Sequence, residues 1–101
     1  MVVLINVFTV DPANQRHLLS LLTSVTNEYV CHAPGFVRAT LHRSFDATKV
    51  TMYAEWRSKE DYENMRRDPG PLPIFQEALA LAKFEPVMYE IVQNFVPLKV
   101  G

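Results

Sequence analysis

The chain reads as an α+β fold with the element order βαββαβ, and three observations predict it. Four stretches are continuously apolar or strictly alternating, as strands are. Two stretches between them carry apolar residues at three- and four-residue spacing, as helices do. Breaks rich in Pro, Gly and Asp separate one stretch from the next. With 101 residues, the chain suffices for one hydrophobic core and not for two, so residues 1–101 are expected to form a single domain.

Val2 to Val10 is a Val- and Ile-rich run interrupted by Asn6 and Thr9, which reads as a strand buried on both faces. Asp11–Pro12 then supplies a helix start, with Asp11 as N-cap and Pro12 in the first helical position. Leu18, Leu22, Val25 and Tyr29 form the buried stripe of this helix, widened by Leu21, and Pro34–Gly35 stops it after His32. Phe36 to Phe45 alternates, with Val37, Ala39 and Leu41 opposite Arg38, Thr40 and His42, so a half-buried strand is expected. The polar segment Asp46 to Lys49 makes the hairpin turn. Val50, Met52, Ala54 and Trp56 then share one face of the next strand, with Thr51, Tyr53 and Glu55 on the other.

Ser58 and Asp61 have the spacing of a capping box and open a second helix. Asp68 to Pro73 breaks that helix, and a further helical piece is expected from Ile74 to Lys83, with Phe75, Leu79 and Ala82 on one face. Glu85–Pro86 breaks again, and Val87 to Val96 reads as the last strand. Right-handed crossovers leave four antiparallel strands with the helices on one side, the ferredoxin-like arrangement. The free side of the sheet would then carry Val3, Ile5, Val7, Phe36, Tyr53 and Met88. An apolar face of that kind calls for a cover, and pairing with a second copy around a two-fold axis provides one, so a homodimer is expected.

Composition excludes several function classes. A formal net charge of −1, with scattered basic residues, gives no footprint for a nucleic acid. The single cysteine, Cys31, cannot form an intrachain disulfide, no signal-peptide pattern opens the chain, and no apolar run reaches membrane-spanning length. The expected location is therefore cytoplasmic, with no membrane partner. His17, His32 and His42 share no ligand spacing, so no metal site is expected. With three glycines there is no phosphate-binding loop, and no nucleophile elbow occurs.

The sequence does offer a greasy pocket between sheet and helices. Asn6 and Phe8 on the first strand, Met52 and Trp56 on the third, and Tyr62, Met65, Phe75 and Leu79 on the helices would line it. Aromatic walls with a few polar tips suit a flat aromatic ligand. Aromatic and Met residues on buried faces also serve as plain core. Asn6 says more, because an amide inside an apolar central strand must find a partner or cost on the order of 1–3 kcal/mol. It is either a structural hydrogen-bonder or a ligand contact.

The segments Ile5 to Pro12, His32 to Phe36, Leu41 to Ser44 and Tyr53 to Ser58 together resemble the antibiotic biosynthesis monooxygenase family. The resemblance runs from Val2 to about Val92. It implies a dimeric α+β barrel that oxidises an aromatic, anthrone-like polyketide intermediate to a quinone. It also implies that molecular oxygen is the co-substrate and that no flavin, haem or metal takes part. By the same resemblance Trp56 corresponds to the family's pocket tryptophan, Asn6 to its first-strand asparagine, and Tyr62 to a tyrosine some members use. Phe8, Met52, Met65, Phe75 and Leu79 would contact substrate. Several oxygenating members carry Asn-x-x-x-Trp on this strand, whereas here Met52 occupies the Asn position and donates no hydrogen bond. The haem-degrading branch needs a His on the helix after the Trp, and Ser58 to Arg67 contains none. Two other readings use the same pocket: a polyketide cyclase or isomerase, and a non-catalytic carrier of a hydrophobic intermediate.

Overall fold

Nine residues, Val2–Val10, form strand β1 in a computed structural model that describes residues 1–99. Asp11 caps the next turn of chain, its carboxylate accepting from the Ala13 N–H at 2.9 Å, and Pro12–Asn14 make a single 3₁₀ turn before helix α1, Gln15–Glu28. Leu18, Leu22 and Val25 are buried along α1, as their spacing predicts. The α-helix ends four residues sooner than expected. A 3₁₀ turn, Val30–His32, carries the chain to Gly35 at φ +84, a left-handed conformation that glycine adopts without strain.

Strands β2 (Phe36–Arg43) and β3 (Lys49–Trp56) form the hairpin, with the turn shifted slightly towards β2. Helix α2, Lys59–Arg67, starts at Ser58, whose hydroxyl accepts from the Asp61 N–H at 3.1 Å. Helix α3, Leu72–Leu81, begins before its expected start because Pro73 lies in the first turn, where a missing N–H breaks no helical bond. Strand β4, Ala82–Glu90, follows α3 directly.

The sheet order is β2-β3-β1-β4 with every pair antiparallel, which is the ferredoxin-like arrangement. The last strand departs from expectation in both directions. Glu85–Pro86 does not break it, because β4 is an edge strand and can accommodate a proline. It also stops at Glu90 rather than Val96, because Glu90 pairs with Val2 and β1 offers nothing beyond. Residues 91–99 continue without regular structure, and Val92, Phe95, Val96 and Leu98 are left exposed.

The register corrects the composition of the free sheet face. Val3, Ile5, Val7 and Tyr53 share it with Val87 and Tyr89. Phe36 and Met88 lie instead on the helix-covered face, packed near Trp56. A bulge at Val37 is the reason for Phe36: it sets Phe36 against Trp56 while Arg38 pairs with Glu55. Met88 pairs with Leu4, so two-residue alternation puts it inside. On the free face Glu55 is buried, with Arg38 Nε at 3.1 Å and the Tyr53 hydroxyl donating to it at 3.4 Å.

Candidate active site

Trp56 is the last residue of β3, and two aromatic rings pack against it. Phe36 and Tyr62 pack edge-on against the indole, with ring centroids at 5.4 and 5.7 Å and interplanar angles of 70° in both cases. At the junction that follows, Asp61 ties the end of β3 to the start of α2. Its carboxylate takes two hydrogen bonds from Arg57, at 2.9 and 3.0 Å, and one from the Ser58 hydroxyl at 2.9 Å. The Arg57 guanidinium and, next, the Ser58 hydroxyl hold the Asp61 carboxyl below the usual carboxylate range. Gly35 lies against this carboxylate, where a Cβ would collide with Asp61, and its carbonyl accepts from the Arg57 N–H at 2.7 Å. Strand ends and helix start are thus locked around the tryptophan and Tyr62.

Between the sheet and the helices is an apolar cavity of about 50 Å³. Asn6, Phe8, Met52, Trp56, Tyr62, Met65 and Phe75 all line it, together with Leu4, Leu22, Val25, Thr26, Val30, Ala39, Ala54 and Arg66. Leu79 does not reach it. That side chain lines a smaller neighbouring cavity of about 20 Å³, which shares Asn6, Phe8, Arg66 and Phe75 with the first.

Among the described residues, two polar atoms in this wall have no partner. Trp56 is 1% exposed and its Nε1–H donates to nothing; Asn6 is 8% exposed and its Oδ1 accepts nothing. Each unpaired buried polar atom costs on the order of 1–3 kcal/mol, so two in one cavity require an explanation. A ligand that brings an acceptor for the indole and a donor for the amide supplies it. Register adds a further point: Asn6 lies directly across from Met52 on β3. The amide therefore occupies the strand position beside the thioether that cannot donate, within the roughly 5 Å reach of cross-strand side chains.

Arg66 and Thr26 also line the cavity, beyond the residues the sequence pattern singles out. A signal for Arg66 exists, since it stands four residues after Tyr62 on one helix and so shares its side. Thr26 gives no such signal, and its hydroxyl donates to the Leu22 carbonyl at 2.7 Å. The histidines lie elsewhere: His17 and His32 are exposed, and His42 contacts the Thr51 carbonyl on the free face at 3.3 Å. Among the described residues no three His, Cys, Asp or Glu side chains gather in one place, and no helix is long and apolar enough to cross a membrane.

The family model for antibiotic biosynthesis monooxygenases matches residues 1–78. The chain is 40% identical over 92 residues to the tetracenomycin-F1 monooxygenase of Streptomyces glaucescens, covering 91% of this chain and 82% of that protein. Among solved structures it is similar to a monooxygenase from the gene ActVA-Orf6 of Streptomyces coelicolor, in complex with nanaomycin D. There the TM-score is 0.85 and the identity 30%, over 96% of this chain and 92% of that one. SnoaB, a cofactor-independent oxygenase from Streptomyces nogalater, superposes with a TM-score of 0.76 at 27% identity, over 92% of this chain and 94% of its own.

Proposed function

Because the chain belongs to the antibiotic biosynthesis monooxygenase family and is a monooxygenase, we propose that it oxidises an anthrone-like polyketide ring to a quinone with O₂ alone. The observation that carries this reading is the pair of unpartnered polar atoms, Trp56 Nε1–H and Asn6 Oδ1, in an otherwise apolar cavity. Cofactor independence is supported by SnoaB, and a flat aromatic substrate by the nanaomycin D bound to the ActVA-Orf6 protein.

The chemistry asks little of the protein. A deprotonated anthrone is electron-rich enough to pass one electron to O₂, and recombination of the two radicals forms a carbon-bound hydroperoxide. Loss of water leaves the new carbonyl, so one oxygen atom enters the product and the other leaves as water. Trp56 donates to the substrate oxygen on which negative charge resides, and stabilises the anion in a medium where a fixed dipole is worth more than in water. Asn6 takes a hydroxyl proton of the substrate as a hydrogen bond, and the Tyr62 hydroxyl serves as a second donor. No carboxylate or imidazole lines the cavity among the described residues, so the substrate proton passes to water at the mouth. Phe8, Met52, Met65 and Phe75 hold the ring, with Leu79 on the side of the smaller cavity.

A sheet-to-sheet homodimer in the cytoplasm accompanies this reading. Val87 and Tyr89 are about half exposed on the free face beside Val3, Ile5 and Val7, and the apolar side chains of residues 91–99 add to the uncovered surface. Sedimentation at micromolar concentration should give twice the chain mass; a monomer would remove the dimer from the proposal.

Oxygen uptake decides the activity. With dithranol as substrate and no added cofactor, enzyme-dependent consumption of one O₂ per quinone formed is expected. Binding of dithranol without uptake would overturn the oxygenase reading for this substrate class and favour the cyclase or carrier.

A further inference from the structure

We propose that Arg66 is a specificity residue that holds a carboxylate on the outer ring of the substrate; the inference rests on the cavity being the aromatic-substrate site. Arg66 lies in the last turn of α2, with its guanidinium carbon 5.3 Å from the centre of the Phe75 ring. These two side chains form wall common to both cavities, and Arg66 is the only charged residue lining either among the described residues.

Being unpaired and lining the cavity together set it apart, since Arg16 and Arg43 are also without a side-chain partner among the described residues but line neither cavity. Arg57 is bound to Asp61, Arg38 to Glu55, and Arg67 donates to Asn64 at 2.7 Å. Arg66 makes no ion pair and no hydrogen bond among the described residues. A cation near a helix C-terminus is favourable in itself, but Arg67 provides that without lining a cavity. Its position over the Phe75 ring leaves the N–H groups of the guanidinium fork free to bind an anion.

A carboxylate is the substituent this arrangement fits. Its two oxygens match the fork, and it is ionised at neutral pH, whereas a ring hydroxyl with a pKa near 10 is not. Arg66 is exposed at the rim, so the ion pair forms at the cavity mouth and no unpaired charge is driven inside. The ring system then extends inward to Trp56 and Asn6. Cavities of about 50 and 20 Å³ are each well below the roughly 300 Å³ at which ligand pockets begin. Movement of Arg66 and Phe75 together, with their contact kept, would shift the shared wall and join the two.

The test uses the full chain and a matched pair of probes: dithranol, and the same anthrone bearing one carboxylate, rhein anthrone. Trp56 is the only tryptophan and lines the cavity, so anaerobic titration of its fluorescence reads binding apart from turnover. The wild type should bind the acid at least tenfold more tightly than dithranol. Arg66→Gln should abolish most of that ratio, Arg66→Lys should keep part of it, and Arg67→Gln should keep all of it. A ratio unchanged by Arg66→Gln, or no preference in the wild type, would overturn the assignment of Arg66 alone. If neither probe perturbed Trp56, the reading of the cavity as the substrate site would fall, and this inference with it.

Discussion

Two apolar clusters lie side by side under the helices, and they differ in what they leave unfinished. One joins Phe8, Val10, Leu18, Leu22, Val50 and Ala78, and no unpartnered polar side chain belongs to it. The other joins Leu4, Val30, Ala54, Trp56 and Met65, with Phe36, Tyr62 and Met88 around it, and it contains the indole N–H that donates to nothing. Asn6, the second unpartnered group, sits on β1 between Leu4 of the Trp56 cluster and Phe8 of the Leu18 cluster. The same sheet face therefore carries a core built for stability and, two residues away, a core whose hydrogen bonds are incomplete. Leaving two donors or acceptors unmet is destabilising, and a fold tolerates it where a ligand completes the set.

The largest effect on stability is expected in the Leu18 cluster. Leu18 is fully buried and does not line the cavity, so Leu18→Ala should cost about 2–5 kcal/mol in urea unfolding while kcat stays near the wild-type value at temperatures where the variant is folded. A large loss of kcat in the folded variant would mean the two clusters are not functionally separate.

Trp56→Phe probes the other side. It removes an unpaired donor but leaves a void where part of the indole packed, so a stability loss of about 1–2 kcal/mol is expected, with the variant still folded. Turnover should fall at least tenfold, equivalent to about 1.4 kcal/mol of transition-state stabilisation. Full activity in Trp56→Phe would reduce the indole to packing and erase the contrast. Met52→Asn adds a donor opposite Asn6. A gain of up to about fivefold is expected, the rate equivalent of one net hydrogen bond of about 1 kcal/mol. No gain, or a loss, in a folded variant would indicate that Asn6 already supplies what the strand needs.

Much of the aromatic site is legible in the sequence, and particular residues show why. Trp56 and Met52 share a strand face by simple alternation, and Asn6 stands out because an amide interrupts a Val- and Ile-rich run. Tyr62 follows from the helix that Ser58 starts. Leu79 is less accessible to such reading: the helix can be recognised, but not which of two neighbouring cavities its side chain enters. Phe36 escapes it because a bulge at Val37 reverses alternation locally, and a single inserted residue leaves no periodic trace. The last strand escapes it because its limits depend on the length of its partner β1 rather than on its own residues.

What the sequence alone determined is the order of elements, the faces of β1 and β3, and the chemistry available in the pocket, because these depend on contacts between near neighbours in the chain. Only the tertiary structure decided where β4 ends, that Asn6 lies opposite Met52, and that Arg66 and Phe75 stand together at the cavity rim. Each of those depends on register or packing between segments far apart in sequence, and no local pattern encodes it.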